Sequence, residues 1–186
     1  MNTIIYVHGY GSSASGNKAQ TLRKLMPDYN VVGNTYNYDT TAPSKIISDV
    51  VSLCFEYGSK GSVFLLGSSM GGFIVCNVLK KINTKAVLIN PSLSPETNMI
   101  TRRNRFAREY AKLSQALNPN GYSNTLCFLT SNDDVIDSEK IKRFNFNLKI
   151  VNGGGHTMTN FDTVIPQISK YYGTNTLLEE IGLTLK

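Results

Sequence analysis

No stretch of this 186-residue chain approaches the roughly 20 consecutive apolar residues of a membrane-spanning helix, which excludes a helical membrane span. There is no internal repeat, low-complexity tract or Pro/Gly-rich linker, so residues 1–186 are expected to form one domain, long enough to bury a core without disulfide or metal staples. Cysteine is scarce. Cys54, Cys76 and Cys127 sit in apolar surroundings and match no CxxC or Cys/His ligand spacing, so buried free thiols are expected and no metal site or cofactor is implied. The first residues carry no basic segment, and Thr3–Val7 is too short for a signal-peptide core; a cytoplasmic protein is the expectation. Histidine is scarcer still: His8 and His156 are the only two, which narrows any search for a general base.

Acidic residues are outnumbered, 13 against 19 Lys and Arg, for a net charge of +6. A basic balance can mark nucleic-acid binding. No nucleic-acid motif accompanies it, so the excess reads as solvated surface and no nucleic-acid partner is expected.

Short apolar runs alternate with helical patterns. The strand-like runs are Thr3–Val7, Val31–Tyr36, Ser62–Leu66, Ala86–Ile89, Thr125–Thr130 and Leu148–Val151. Helical periodicity occupies Asn17–Met26, Pro43–Tyr57, Met70–Ile82, a short segment after Asp137, and a last segment carrying Val164, Ile165, Ile168 and Tyr172. Pro43 and Pro166 suit first helical turns, and Asp137 suits an N-cap. This alternation predicts an α/β fold, a three-layer sandwich with a mostly parallel sheet covered on both faces. The alternation breaks over about 91–124, a helical insertion. Within it Ile100–Leu117 reads as an amphipathic helix with Phe106, Tyr110, Leu113 and Leu117 on one face and Arg102, Arg103, Arg105, Arg108 and Lys112 on the others. It either folds over the C-terminal edge of the strands as a small cap, where Phe106 and Tyr110 would line a substrate pocket, or docks on the sheet flank with its cations in solvent.

Chemistry enters at Gly67-Ser68-Ser69-Met70-Gly71, between a strand-like and a helical run. Gly-x-Ser-x-Gly in that context is a nucleophile elbow: the chain turns sharply, the glycines make room, and Ser69 stands at a helix N-terminus that favours developing negative charge. A serine needs a base, and the base needs an orienting acid. His156, in the Gly-rich run Asn152–His156 after the last strand, is the base. Asp133, first after the Thr125–Thr130 strand, is the acid, ahead of Asp134. The order Ser, Asp, His is that of α/β-hydrolases. The loop His8–Ser12 offers glycines that let backbone N–H groups approach a substrate oxygen, so the N–H groups of Tyr10 and Met70 are assigned as the oxyanion hole and His8 as a structural residue.

These stretches also carry a resemblance. Ile5–Ser13, Gly67–Gly72, Asn90-Pro91 with Pro95, Asp133–Asp137 and Gly153–His156 with Phe161 resemble, in order and over nearly the whole chain, the small YqiA-like group of bacterial esterases in the α/β-hydrolase superfamily. The resemblance implies a Ser69–Asp133–His156 triad and hydrolysis of short-chain carboxylic esters or thioesters; with the residues read above, the expectation is a serine esterase that cleaves short- to medium-chain carboxylic esters by an acyl-enzyme mechanism, with a small-molecule ester or thioester as partner. A thioesterase or lipase-like acyl hydrolase would use the same residues. A catalytically silent binding module on this fold is the reading from another class.

Overall fold

Six strands pair in parallel, in the order β2-β1-β3-β4-β5-β6: β1 Asn2–Val7, β2 Tyr29–Val32, β3 Val63–Ser68, β4 Ala86–Ile89, β5 Thr125–Thr130 and β6 Asn147–Val151. The computed structural model describes residues 1–97 and 104–180. The helices are α1 Asn17–Leu25, α2 Pro43–Gly58, α3 Met70–Val78, α4 Ala107–Gln115, α5 Ser138–Lys142 and α6 Ile165–Glu180.

The two-residue period of a strand divides the core in two. Ile5, Val7, Leu65, Leu88, Cys127 and Leu129 face a layer made by α2, α3, α4 and α5. Ile4, Phe64, Leu66, Val87, Leu126 and Phe128 face α1 and α6. Central strands buried on both faces explain why β3, β4 and β5 read as unbroken apolar runs. Pro43 starts α2 and the Asp137 carboxylate accepts from the Glu139 N–H at 3.1 Å, capping α5. The three cysteines are buried and free, and burial pushes the Cys54 thiol up to about 11.

Beyond shifts of one or two residues at other element ends, the structure departs from the sequence expectation at three places. The second strand is Tyr29–Val32, not Val31–Tyr36. Tyr36 leaves the sheet because it packs with Tyr38 around the buried His8 ring. The third helix stops at Val78 rather than Ile82. Of the expected Ile100–Leu117 helix, Ala107–Gln115 is helical; Ile100, Arg102 and Arg103 lie outside the described residues.

The chain order reverses at β1, which has β2 on one side and β3 on the other. In an open parallel sheet the crevice at such a switch point, beyond the C-terminal strand ends, is where ligands bind. The loops after β1, β3, β4, β5 and β6 all emerge at this edge. Among the described residues no helix is long and apolar enough to cross a membrane.

Candidate active site

Ser69 follows β3 and precedes α3 in a backbone conformation, φ 52° and ψ −118°, that L-residues rarely adopt. Three hydrogen bonds hold it there: its N–H donates to the Ile89 carbonyl at 2.9 Å, and its carbonyl accepts from Gly72 and Ser92 at 2.9 and 3.0 Å. The glycines of the elbow are required by space. A Cβ on Gly71 would stand 2.0 Å from the Val7 carbonyl oxygen, and one on Gly67 would stand 2.6 Å from that of Gly71.

The Ser69 Oγ lies 2.9 Å from His156 Nε2. His156 Nδ1 lies 3.0 and 3.2 Å from the two Asp133 carboxylate oxygens. The Asp133 side chain is 4% exposed and also accepts from the Val135 and Ile136 N–H groups at 2.8 and 2.9 Å. That turn explains why Asp133, and not exposed Asp134, faces the imidazole. With Nδ1–H donating to the carboxylate, Nε2 is left as the acceptor for the serine hydroxyl proton.

His156 ends a loop in which Gly153, Gly154 and Gly155 all have positive φ, at 71°, 88° and 58°. Asn90, directly after β4, clamps that loop and was not anticipated as a functional residue. Its Nδ2 donates to the His156 carbonyl at 2.9 Å and to the Gly155 carbonyl at 3.2 Å, while its Oδ1 accepts from the Thr130 N–H at 2.9 Å. Asn90 is fully buried and adopts φ 43°. The available signal was an Asn at a strand end, a residue type that tolerates this conformation; its partners lie 40 and more positions away in sequence.

The other side of the crevice is the loop after β1. A Cβ on Gly9 would lie 3.1 Å from Ser69 Cβ, so this loop passes directly over the elbow. His8 is completely buried behind it. The Tyr36 N–H donates to His8 Nε2 at 2.9 Å, so Nδ1 carries the proton and donates to the Gly9 carbonyl at 2.7 Å. Burial lowers its pKa, outweighing the Gly9 bond that favours the charged form. The Tyr10 hydroxyl donates to the Asp39 carboxylate at 2.7 Å, which ties this loop to the segment before α2.

A cavity of about 1040 Å³ opens beside Ser69 and His156. Its walls are the β1–α1 loop, one face of α1 along its length, and the segment from Thr157 to Asp162. Phe106 and Tyr110 do not line it, contrary to the sequence expectation. Tyr110 is fully buried with its ring centroid 5.7 Å from that of Phe73 on α3, and Phe106 packs on the same core. The physical reason is that α4 has a closer apolar partner in α3 than in the crevice. Arg105, Arg108 and Lys112 are exposed, as the flank-docked alternative requires.

A six-stranded parallel sheet with a serine at the β3–α3 elbow, a histidine after the last strand and an aspartate after the strand before it has the architecture of the α/β-hydrolase fold. Solved structures with this fold are similar to the chain. A lipase-esterase related protein from Clostridium acetobutylicum matches with TM-score 0.66 at 18% identity, covering 91% of this chain and 94% of that one. Est1E from Butyrivibrio proteoclasticus, solved with ferulic acid bound, matches with TM-score 0.68 at 13% identity, covering 97% and 90%. A monoacylglycerol lipase from Paleococcus ferrophilus matches with TM-score 0.67 at 15% identity, covering 88% and 91%. Within this superfamily the chain belongs to the Uncharacterised protein family UPF0227, whose match extends over residues 3–173. A UPF0227 protein of Vibrio vulnificus is 27% identical over 146 residues, 74% of this chain and 78% of the relative. One of Serratia proteamaculans is 26% identical over 141 residues, 73% and 78%.

Proposed function

We propose that this protein is a serine esterase that hydrolyses short- to medium-chain carboxylic esters through an acyl-enzyme. The observation that carries the proposal is the continuous hydrogen-bond relay from Ser69 Oγ to His156 Nε2 at 2.9 Å and from His156 Nδ1 to Asp133 at 3.0 Å. Est1E and the monoacylglycerol lipase, proteins of the same fold, lend support from their own names.

Ser69 Oγ attacks the ester carbonyl as His156 Nε2 takes its proton. Asp133 fixes the imidazole tautomer and stabilises the imidazolium. The tetrahedral oxygen is held by the Tyr10 and Met70 N–H groups. Met70 occupies the first position of α3, where the N–H has no intrahelical partner; the Ser69 N–H is already committed to Ile89. The imidazolium gives its proton to the leaving alkoxide, and a water activated by the same nitrogen then opens the acyl-enzyme.

The test is turnover of para-nitrophenyl butyrate together with labelling by a fluorophosphonate probe. Ser69→Ala removes labelling and lowers kcat on the order of a million-fold. Asp133→Asn lowers kcat roughly ten-thousand-fold, while Asp134→Asn retains near wild-type turnover. Failure of the wild-type protein to label at Ser69 would favour the silent binding module instead.

A further inference from the structure

Lys18, the second residue of α1, reaches across the cavity mouth and donates to the carbonyl of Thr157, the residue following His156. Its ammonium also lies 5.8 Å from the centre of the Phe161 ring. Among the described residues no carboxylate lies within ion-pair distance of it. Asp162, the acid on the cavity wall, is exposed. Lys24 lines the same cavity further along α1, and Ser12, Ser13 and Thr21 add hydroxyls to its wall. A half-buried ammonium has three N–H donors, of which the Thr157 carbonyl uses one. Leaving the others without a counter-ion in a partly dehydrated crevice is unfavourable, and burial lowers the Lys18 pKa accordingly.

We infer that Lys18 is a specificity-determining residue that supplies the positive wall of a subsite for an anionic group on the substrate, so that the preferred esters carry a carboxylate or phosphate. This inference rests on the esterase reading of the same crevice. The chemistry is charge pairing in a cavity that excludes part of the solvent, where a charge-assisted hydrogen bond is stronger than its solvent-exposed counterpart. Lys24, further out and exposed, adds a long-range attraction that salt screens. A purely structural Lys18 would only pin the segment that carries His156, and would affect neutral and anionic esters alike.

Two measurements separate these possibilities. The first is the ratio of kcat/KM for para-butyryloxybenzoate to that for its methyl ester. Lys18→Gln should lower this ratio about tenfold, through KM of the anionic ester, and Lys18→Arg should restore it. An equal change for both esters, or an unchanged ratio, overturns the inference. The second uses Ser69→Ala, in which turnover is too slow to interfere, and follows binding of the same two esters by calorimetry. The anionic ester should bind about tenfold tighter than the neutral one, less so at high salt, and this advantage should vanish in the Ser69→Ala/Lys18→Gln protein. Equal binding of the two esters overturns the inference even if wild-type turnover is robust. Lys18-dependent binding of the anion by a wild-type protein that cleaves neither ester sustains the subsite and removes the esterase reading.

Discussion

Asn90 joins three strand ends in one side chain. It is fully buried after β4, bonds to Thr130 at the end of β5, and holds the Gly155 and His156 carbonyls of the loop after β6. Removing the amide takes the partner from the Thr130 N–H and from the part-buried His156 carbonyl, while the Gly155 carbonyl keeps the Thr130 hydroxyl and the Met158 N–H. Asn90→Ala should therefore lower stability by about 3 kcal/mol, and lower kcat because His156 is no longer held at 2.9 Å from Ser69. Asn90→Gly loses the same hydrogen bonds but accepts φ 43° freely. It should be about 1 kcal/mol more stable than Asn90→Ala. Urea midpoints for the three proteins check this, and an alanine variant as stable as wild type would contradict it.

At the scale of elements, α4 decides which face the insertion covers. Its start is pinned by Asn104, whose Nδ2 donates to the Tyr38 carbonyl at 2.8 Å, and its Glu109 accepts from the Ser44 N–H in the first turn of α2 at 2.9 Å. A carboxylate there also complements the α2 dipole, at a helix start that has no acidic residue of its own in the first turn. Tyr110 is the buried anchor, yet its hydroxyl has no hydrogen-bond partner among the described residues. Tyr110→Phe should accordingly gain about 1 kcal/mol, and Tyr110→Ala should lose about 3–5 kcal/mol by opening a cavity against Phe73. Thermal unfolding reads both. Preference among esters of different acyl length should stay unchanged in Tyr110→Phe; a clear change there would place α4 over the crevice.

For the whole molecule, His8 sets a dependence of stability on pH. The folded protein holds it neutral, with Nε2 accepting from the Tyr36 N–H, and burial lowers its pKa. The unfolded chain takes up a proton near the ordinary value of about 6.5. Stability from this residue is constant above that pH and falls as pH drops through it, because the unfolded state then binds a proton the folded state refuses. Tm should decline from neutral pH toward pH about 5, and the decline should be shallower in His8→Asn. An equally steep decline in that variant would assign the effect elsewhere. The same burial keeps His8 out of the acid–base chemistry, although it lies only one residue from Gly9, which abuts Ser69.

The local pattern of the chain was sufficient for the strands Ala86–Ile89 and Thr125–Thr130, the starts of α1, α2 and α3, and the Gly-x-Ser-x-Gly turn, because period, caps and glycine placement act over a few residues. It also pointed to Ser69, Asp133 and His156, few residues of those types following strand-like runs in that order, and the structure brings these three within hydrogen-bond distance. Three features depend on contacts between segments far apart in sequence. Tyr36 was drawn out of a strand by His8, 28 positions away. The apolar face of α4 chose α3 over the crevice, which no periodicity can decide, since a hydrophobic stripe states that it will be buried but not against what. Asn90 and Lys18 acquired their partners, 66 and 139 positions away, only when the sheet brought its strand ends together.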